Sequence, residues 1–236
     1  LNIEKYFTKN GNVISFSREQ ASMFAKAEAG DFNPIHDVDA RRFCVPGDLL
    51  FSVMVHSIGL YRTMAFEFLQ LVTEVHELDI VRDQDKFLLN DKKGRPCLEV
   101  TVSGEKTDDA EKIERLCVAY IEFSGVTFPY LLVELMQSSS VMINPSRPLV
   151  MYKSMAFTLD RFADGEITLE YTGGSLNPDG KKAGVELPFD ITCAGESAGS
   201  GSKEMLLGGL RPFDGEVMEA LVRDYNEIKD RFSGIV

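Results

Sequence analysis

Gly47-Asp48-Leu49-Leu50-Phe51-Ser52-Val53-Met54-Val55-His56-Ser57-Ile58 carries more information about the fold than any other segment of this chain. Apolar side chains fall on nearly every face of it, and the run continues through Leu60, Met64, Phe66, Phe68 and Leu69. A helix that is apolar all round has to be wrapped by other elements. His56, Arg62 and Glu67 interrupt the run, which sets it apart from a bilayer span of about 20 mostly apolar residues. The sequence therefore predicts a buried helix from 47 to about 71, with Asp48 near its start favoured by the helix dipole.

The flanking sequence supplies the wrapping. Residues 12–16 alternate as a short strand, and Ser17 with Gln20 three positions on makes a capping box that predicts a helix to Ala29, stopped by Gly30. After the long helix, strands are expected over 75–81, 86–89, 96–102 and 115–123, with Asp91-Lys92-Lys93-Gly94 as a hairpin turn. The order then recurs. Residues 128–136 read as a second apolar helix, followed by strands over 149–159, 166–172, 184–192 and 202–207. Two helix-then-sheet units suggest a duplication divided as 1–125 and 126–236, as a match of element order without a residue-level repeat. Val217, Leu221, Tyr225, Ile228 and Phe232 recur at helical spacing and predict a C-terminal amphipathic helix packed on the outside. Composition and periodicity together give an α+β protein.

The chain has 236 residues, 44% hydrophobic and 26% charged, with a formal net charge of −12. That length buries a real core, and that charge disfavours nucleic acid and anionic membrane surfaces as partners. Cys44, Cys97, Cys117 and Cys193 form no C-x-x-C pair and read as reduced, buried thiols, so no metal site is expected. The first residues, Leu1-Asn2-Ile3-Glu4-Lys5, lack the blocks of a signal peptide. A cytoplasmic location is expected.

The chemistry concentrates in Gly30-Asp31-Phe32-Asn33-Pro34-Ile35-His36. Asp, Asn and Pro favour a stiff turn, which suits acid and base work because a general base must be held within hydrogen-bond reach of its proton. His36 has the resting pKa nearest neutrality, and the chain has 3 His in all. Alone, such a turn is more often structural than catalytic. The motif, with 17–26 before it and Pro46-Gly47-Asp48-Leu49-Leu50-Phe51-Ser52 after it, resembles the G-D-x-N-P-x-H hydratase motif of MaoC-like proteins, which include the R-specific enoyl-CoA hydratases.

That resemblance implies a hot-dog fold, and for the whole chain a double hot dog, in which two curved antiparallel sheets each wrap a long apolar helix. It implies that Asp31 and His36 orient and activate a water that adds across the double bond of a trans-2-enoyl thioester, with Asp31 also handling the second proton and Asn33 holding the loop. Backbone N–H groups at Gly47 would bind the thioester carbonyl. Asp48 and Ser52, one helical turn apart, are the further substrate-site candidates, although Asp48 reads more strongly as a helix-stabilising cap and Ser52 equally well as bonded to a neighbouring carbonyl. Where the family usually has H-G-M at the helix mouth, this chain has Pro46-Gly47-Asp48. The implied partner is a small acyl thioester on coenzyme A or an acyl carrier protein. No cofactor is implied, and the assembly would be a monomeric pseudo-dimer or a homodimer. The alternatives are a non-catalytic acyl-thioester-binding or scaffold protein of the same fold, and an acyl-CoA thioesterase. A pocket plugged by Asp48 or Phe43 would favour the scaffold. The whole chain, including Met142-Ile143-Asn144-Pro145-Ser146-Arg147-Pro148-Leu149, is also similar to a bacterial family of unknown function.

Other residues read as structural. His56 and His76 are expected to be satisfied locally. The pairs Arg41-Arg42, Lys92-Lys93 and Lys181-Lys182 read as solvated turns, and residues 195–202 as a flexible hairpin.

Overall fold

The computed structural model describes residues 1–233. Its first half opens with β1 (Thr8–Asn10), β2 (Val13–Ser15) and α1 (Arg18–Met23), which widens into a π-helical segment over Phe24–Glu28. Then come α2 (Gly47–Ile58), β3 (Leu60–Phe68), β4 (Glu77–Asp83), β5 (Lys86–Asp91) and β6 (Pro96–Thr107). The second half starts at α3 (Ala110–Gly125) and bends through a π-helical turn, Thr127–Leu131, into α4 (Leu132–Ser138). It continues as β7 (Val141–Met142), β8 (Leu149–Leu159), β9 (Ile167–Tyr171), β10 (Ser175–Asp179), β11 (Lys182–Cys193), β12 (Glu196–Gly208), β13 (Arg211–Pro212) and α5 (Gly215–Ser233).

Among the described residues eleven strands form one sheet in the order β1-β2-β4-β5-β6-β3-β8-β12-β11-β10, with β9 also on β11, and every pairing in it is antiparallel. The halves meet at β3 and β8, where Ala65 faces Ala156 between Met64–Phe157 and Phe66–Met155. Outward from that seam each half runs first strand, fourth, third, second. In the second half β9 and β10 share the second-strand place, on opposite ends of β11. The same helix-then-sheet topology therefore occurs twice, and the fold is an α+β double hot dog. The two helices pack on each other inside it. Phe66 of β3, Phe51 of α2 and Tyr120 of α3 form a chain of rings with centroids 4.9 and 4.5 Å apart, and Phe123 of α3 meets Phe189 of β11 at 5.0 Å. Each such buried side chain contributes about 1.5–3 kcal/mol.

Four expectations are corrected. The apolar run from 47 to 71 is two elements, because Gly59, with φ of 87°, ends α2 and turns the chain into β3. A buried helix and a buried strand are equally apolar, so composition does not separate them. Residues 115–123 are not a strand but lie within α3, whose amides at Glu111 and Lys112 donate to the capping carboxylate of Asp109. Ile113, Leu116, Cys117, Tyr120 and Ile121 are buried at three- and four-residue spacings, as a core-facing helix requires. Residues 128–136, expected as the second long helix, are the bent π-helical turn and short α4. The long helix of the second half is α3, which packs on β9 and on α2. Finally, residues 195–202 belong to a hairpin as expected, but they are largely its strand β12, paired to β11, and not a flexible loop. A Cβ on Gly201 would fall 2.4 Å from the Phe189 ring and 2.5 Å from the Ala156 carbonyl oxygen, so glycine there reflects close approach of strands.

Among the described residues no single helix is long and apolar enough to cross a membrane; α3 with 127–138 passes that test only as a pair bent by 45°.

Candidate functional site

The motif loop is built as its residue types dictate. Ser17 and Gln20 form the reciprocal capping box, and the helix they start runs out at Gly30. The Asp31 carboxylate then accepts the Asn33 amide at 2.8 Å. The Asn33 side-chain oxygen accepts the Ile35 amide at 3.2 Å and caps a 3-10 turn over Pro34–His36. His36 donates from Nδ1 to the Cys44 carbonyl oxygen at 2.7 Å, so in the neutral ring Nε2 carries the lone pair. That Nε2 lies 3.5 Å from Asp31 Oδ2.

These two groups line a cavity of about 630 Å3 together with Gly47 and Asp48 of α2, Ser124 of α3, Tyr152 of β8 and Lys203 of β12. Both halves of the chain therefore supply polar groups to one site. Leu132, Ile143, Val150 and Met205 give it an apolar wall. Gly47 packs against the β3–β8 seam, where an added Cβ would come within 3.0 Å of the Tyr152 ring. Asp48 does not cap α2 as expected. Pro46 occupies the cap position without a side-chain hydrogen bond, while Asp48 Oδ2 accepts from Ser124 Oγ at 2.7 Å and its buried Oδ1 has no hydrogen-bond partner among the described residues. Ser124 Oγ in turn accepts from Lys203 Nζ at 2.5 Å, and the lysine lies 4.2 Å from the Tyr152 ring centroid.

The electrostatics follow from this packing. Burial works to raise the pKa of Asp31, but the His36 hydrogen bond and charge and the Asn33 amide outweigh it and leave the carboxyl below its ordinary value. His36 is the mirror case: burial works against its cation, and Asp31 and the Cys44 carbonyl carry its pKa above the ordinary 6.5. Asp48 lies on the other side. Burial raises its pKa despite Lys203 and Ser124. Burial also lowers that of Lys203, with Asp48 and Asp31 opposing.

The remaining candidates do not gather here. Ser52 is fully buried, donates back to the Asp48 carbonyl at 2.8 Å and is not on the cavity wall. His56 Nδ1 donates to the Ser52 carbonyl, and His76 Nδ1 accepts the Thr73 amide. Arg41 and Arg42 are exposed and absent from the cavity wall, and Lys92 pairs with Glu77. Cys44 is buried, its thiol pushed up to about 12 by that burial. Among the described residues no cluster of three or more His, Cys, Asp or Glu is placed to hold a metal ion. Sequence reasoning missed Lys203 and Ser124. The signal for Lys203 is present: in strand β12 the inward positions are Lys203, Met205 and Leu207, and a lysine in that phase is out of place unless it serves something.

The chain is similar in overall shape to an acyl-CoA thioesterase II from Mycobacterium marinum, with 14% identity, 91% of this chain and 99% of that one covered, and a TM-score of 0.44. It is likewise similar to a MaoC-like dehydratase, with 12% identity, coverage of 85% and 97%, and a TM-score of 0.42. Both are distant likenesses. No curated protein matches the chain. A family profile does match, over residues 1–216, and on that extent the chain belongs to DUF3581, a family described as "protein of unknown function".

Proposed function

We propose that this protein hydrates trans-2-enoyl thioesters and, in reverse, dehydrates 3-hydroxyacyl thioesters. The observation that carries the reading is the His36–Asp31 pair, 3.5 Å apart on the wall of a cavity that also contains the first turn of α2. A water donating to His36 Nε2 and Asp31 Oδ2 would turn its oxygen lone pair toward C3 of the acyl chain. As the C3–O bond forms, the lone pair on Nε2 takes the water's proton and the double-bond electrons move to the thioester oxygen. Backbone N–H groups at Gly47 and Asp48, in the first turn of a helix, would stabilise that oxyanion. The apolar wall of Leu132, Ile143, Val150 and Met205 suits an acyl chain. Phe43 does not plug the cavity; it packs against the Arg18 guanidinium at 5.0 Å. The match of Asp31, Asn33, Pro34 and His36 to the MaoC-like motif supports the same chemistry.

The test is to incubate the protein with crotonyl-CoA and longer enoyl thioesters and follow loss of the conjugated absorbance. His36→Ala and Asp31→Asn are expected to lower the rate about 10²–10⁴-fold, the range for a lost general base. Wild type and variants equally inert at every chain length would sink the reading. Release of free thiol from saturated acyl-CoA, without hydration, would assign hydrolysis instead.

A further inference from the structure

Lys203, Ser124 and Asp48 make a polar chain that the water-activating pair leaves unused. We infer that Asp48 is the acid that delivers the proton to C2 of the thioester, and that Lys203, acting through Ser124, recharges it. This inference rests on the hydratase reading.

The chemistry also requires a proton donor at C2. Once water has added to C3, the enolate must be protonated at C2, and His36 has already taken the proton from water. Asp31 has none to give, since His36 and the Asn33 amide hold it ionised. Of the described residues lining the cavity, Asp48 is the other carboxyl. Its Oδ2 is engaged by Ser124, and its buried Oδ1 has no partner among the described residues, which suits the protonated form. It directly follows Gly47 at the helix start. With the thioester oxygen on those amides, C2, bonded to the carbonyl carbon, comes to Asp48, and C3, one bond further, comes to the His36–Asp31 pair.

The groups around Asp48 are Asp31 and His36 from the motif loop, Ser124 and Tyr120 from α3, and Lys203 from β12. Two carboxyls in one cavity thus have opposite tendencies, the usual mark of an acid and a base. Recharging balances atom by atom. Enolate C2 takes the Oδ1 proton and leaves a carboxylate; Oδ2 takes the Ser124 hydroxyl proton, which a half-turn of the carboxyl brings to the Oδ1 position; Ser124 takes one from the Lys203 ammonium. Burial brings the proton affinities of lysine and carboxyl toward each other, which such a transfer needs. Protonated His36 and neutral Lys203 then exchange with solvent, so the net reaction consumes one water.

Asp48→Asn keeps the shape and the neutral charge and should fold. In enoyl-CoA hydration its kcat is expected to fall about 10²–10³-fold with KM little changed. The alkaline limb of the wild-type kcat profile, set by ionisation of Asp48, should disappear with it. Ser124→Ala should slow the steady state more than it slows the first turnover. A merely structural role would move neither the limb nor that difference. If wild type is active and His36→Ala inactive, while Asp48→Asn keeps the wild-type kcat and alkaline limb, this proposal alone is overturned. Wild type inert on every enoyl thioester overturns both it and the hydratase reading. If Asp48→Asn does not fold, Ser124→Ala decides, and equal slowing of first and later turnovers counts against the relay.

Discussion

The hydroxyl of Tyr225 donates to the carbonyl oxygen of Gly30 at 3.0 Å, joining α5 to the backbone immediately before Asp31. The same hydroxyl accepts the Phe32 amide at 3.2 Å, so both peptide groups flanking Asp31 are held from one side chain. Phe32 itself packs edge-on against the rings of Tyr225 and Phe232, at centroid distances of 5.9 and 5.6 Å. A helix that looks peripheral in the sequence therefore fixes the position of the candidate active-site carboxylate.

Tyr225→Phe is expected to show this directly. It keeps the ring contacts and leaves the Gly30 carbonyl and the Phe32 amide without this partner, at a cost of about 1–3 kcal/mol for a buried group so stranded. Thermal melting should drop accordingly. Hydration kcat should fall more than KM rises, because the loop that holds Asp31 against His36 is loosened while the acyl wall is not. Unchanged melting and unchanged kcat together would show that α5 plays no part in positioning the loop.

The opposed shifts of Asp31 and His36 also set a pH window. Asp31 binds its proton more weakly in the folded protein than at the ordinary 3.8, so its contribution to stability is present above that pH and is lost as pH falls through the lowered value. His36 binds its proton more tightly than at the ordinary 6.5, so its contribution is full below that pH and is lost as pH rises through the raised value. The melting temperature of wild type relative to Asp31→Asn should therefore be greatest between about pH 4 and about pH 6.5 and shrink on both sides. A difference independent of pH would show that the two groups are not electrostatically coupled.

The fold was legible to different depths at different residues. Ser17 with Gln20 and the stop at Gly30 are local hydrogen-bonding and backbone signals, and they placed the motif loop correctly. Strand β8 has the expected bounds because alternation over residues 149–159 is a local pattern too. What escaped depended on partners distant in sequence. Gly59 reads as a minor interruption until it is seen to turn α2 into a strand paired with β6 and β8. The burial of α3 residues was visible as apolar content, but helix and strand compete on equal terms there. In the site, Asp31, Asn33 and His36 sit within one turn and could be read together. Ser124 and Lys203 reach Asp48 from elements 76 and 155 positions further along, and nothing local couples them.

The apolar wall of the cavity makes its own prediction about the acyl chain. Val150 lies on β8, paired to Leu207 of β12, is half-buried and lines the cavity. An indole in its place would fill part of the space without adding charge. In Val150→Trp, KM for long enoyl thioesters is expected to rise about tenfold or more, since roughly 0.8 kcal/mol is forfeited for each methylene kept from burial. Crotonyl-CoA, whose chain ends close to the reacting carbons, should be turned over with kcat and KM near wild type. A variant that treats short and long substrates alike would mean that the acyl chain leaves the reacting centre by another wall, and that Leu132, Ile143 and Met205 line space that the substrate does not use.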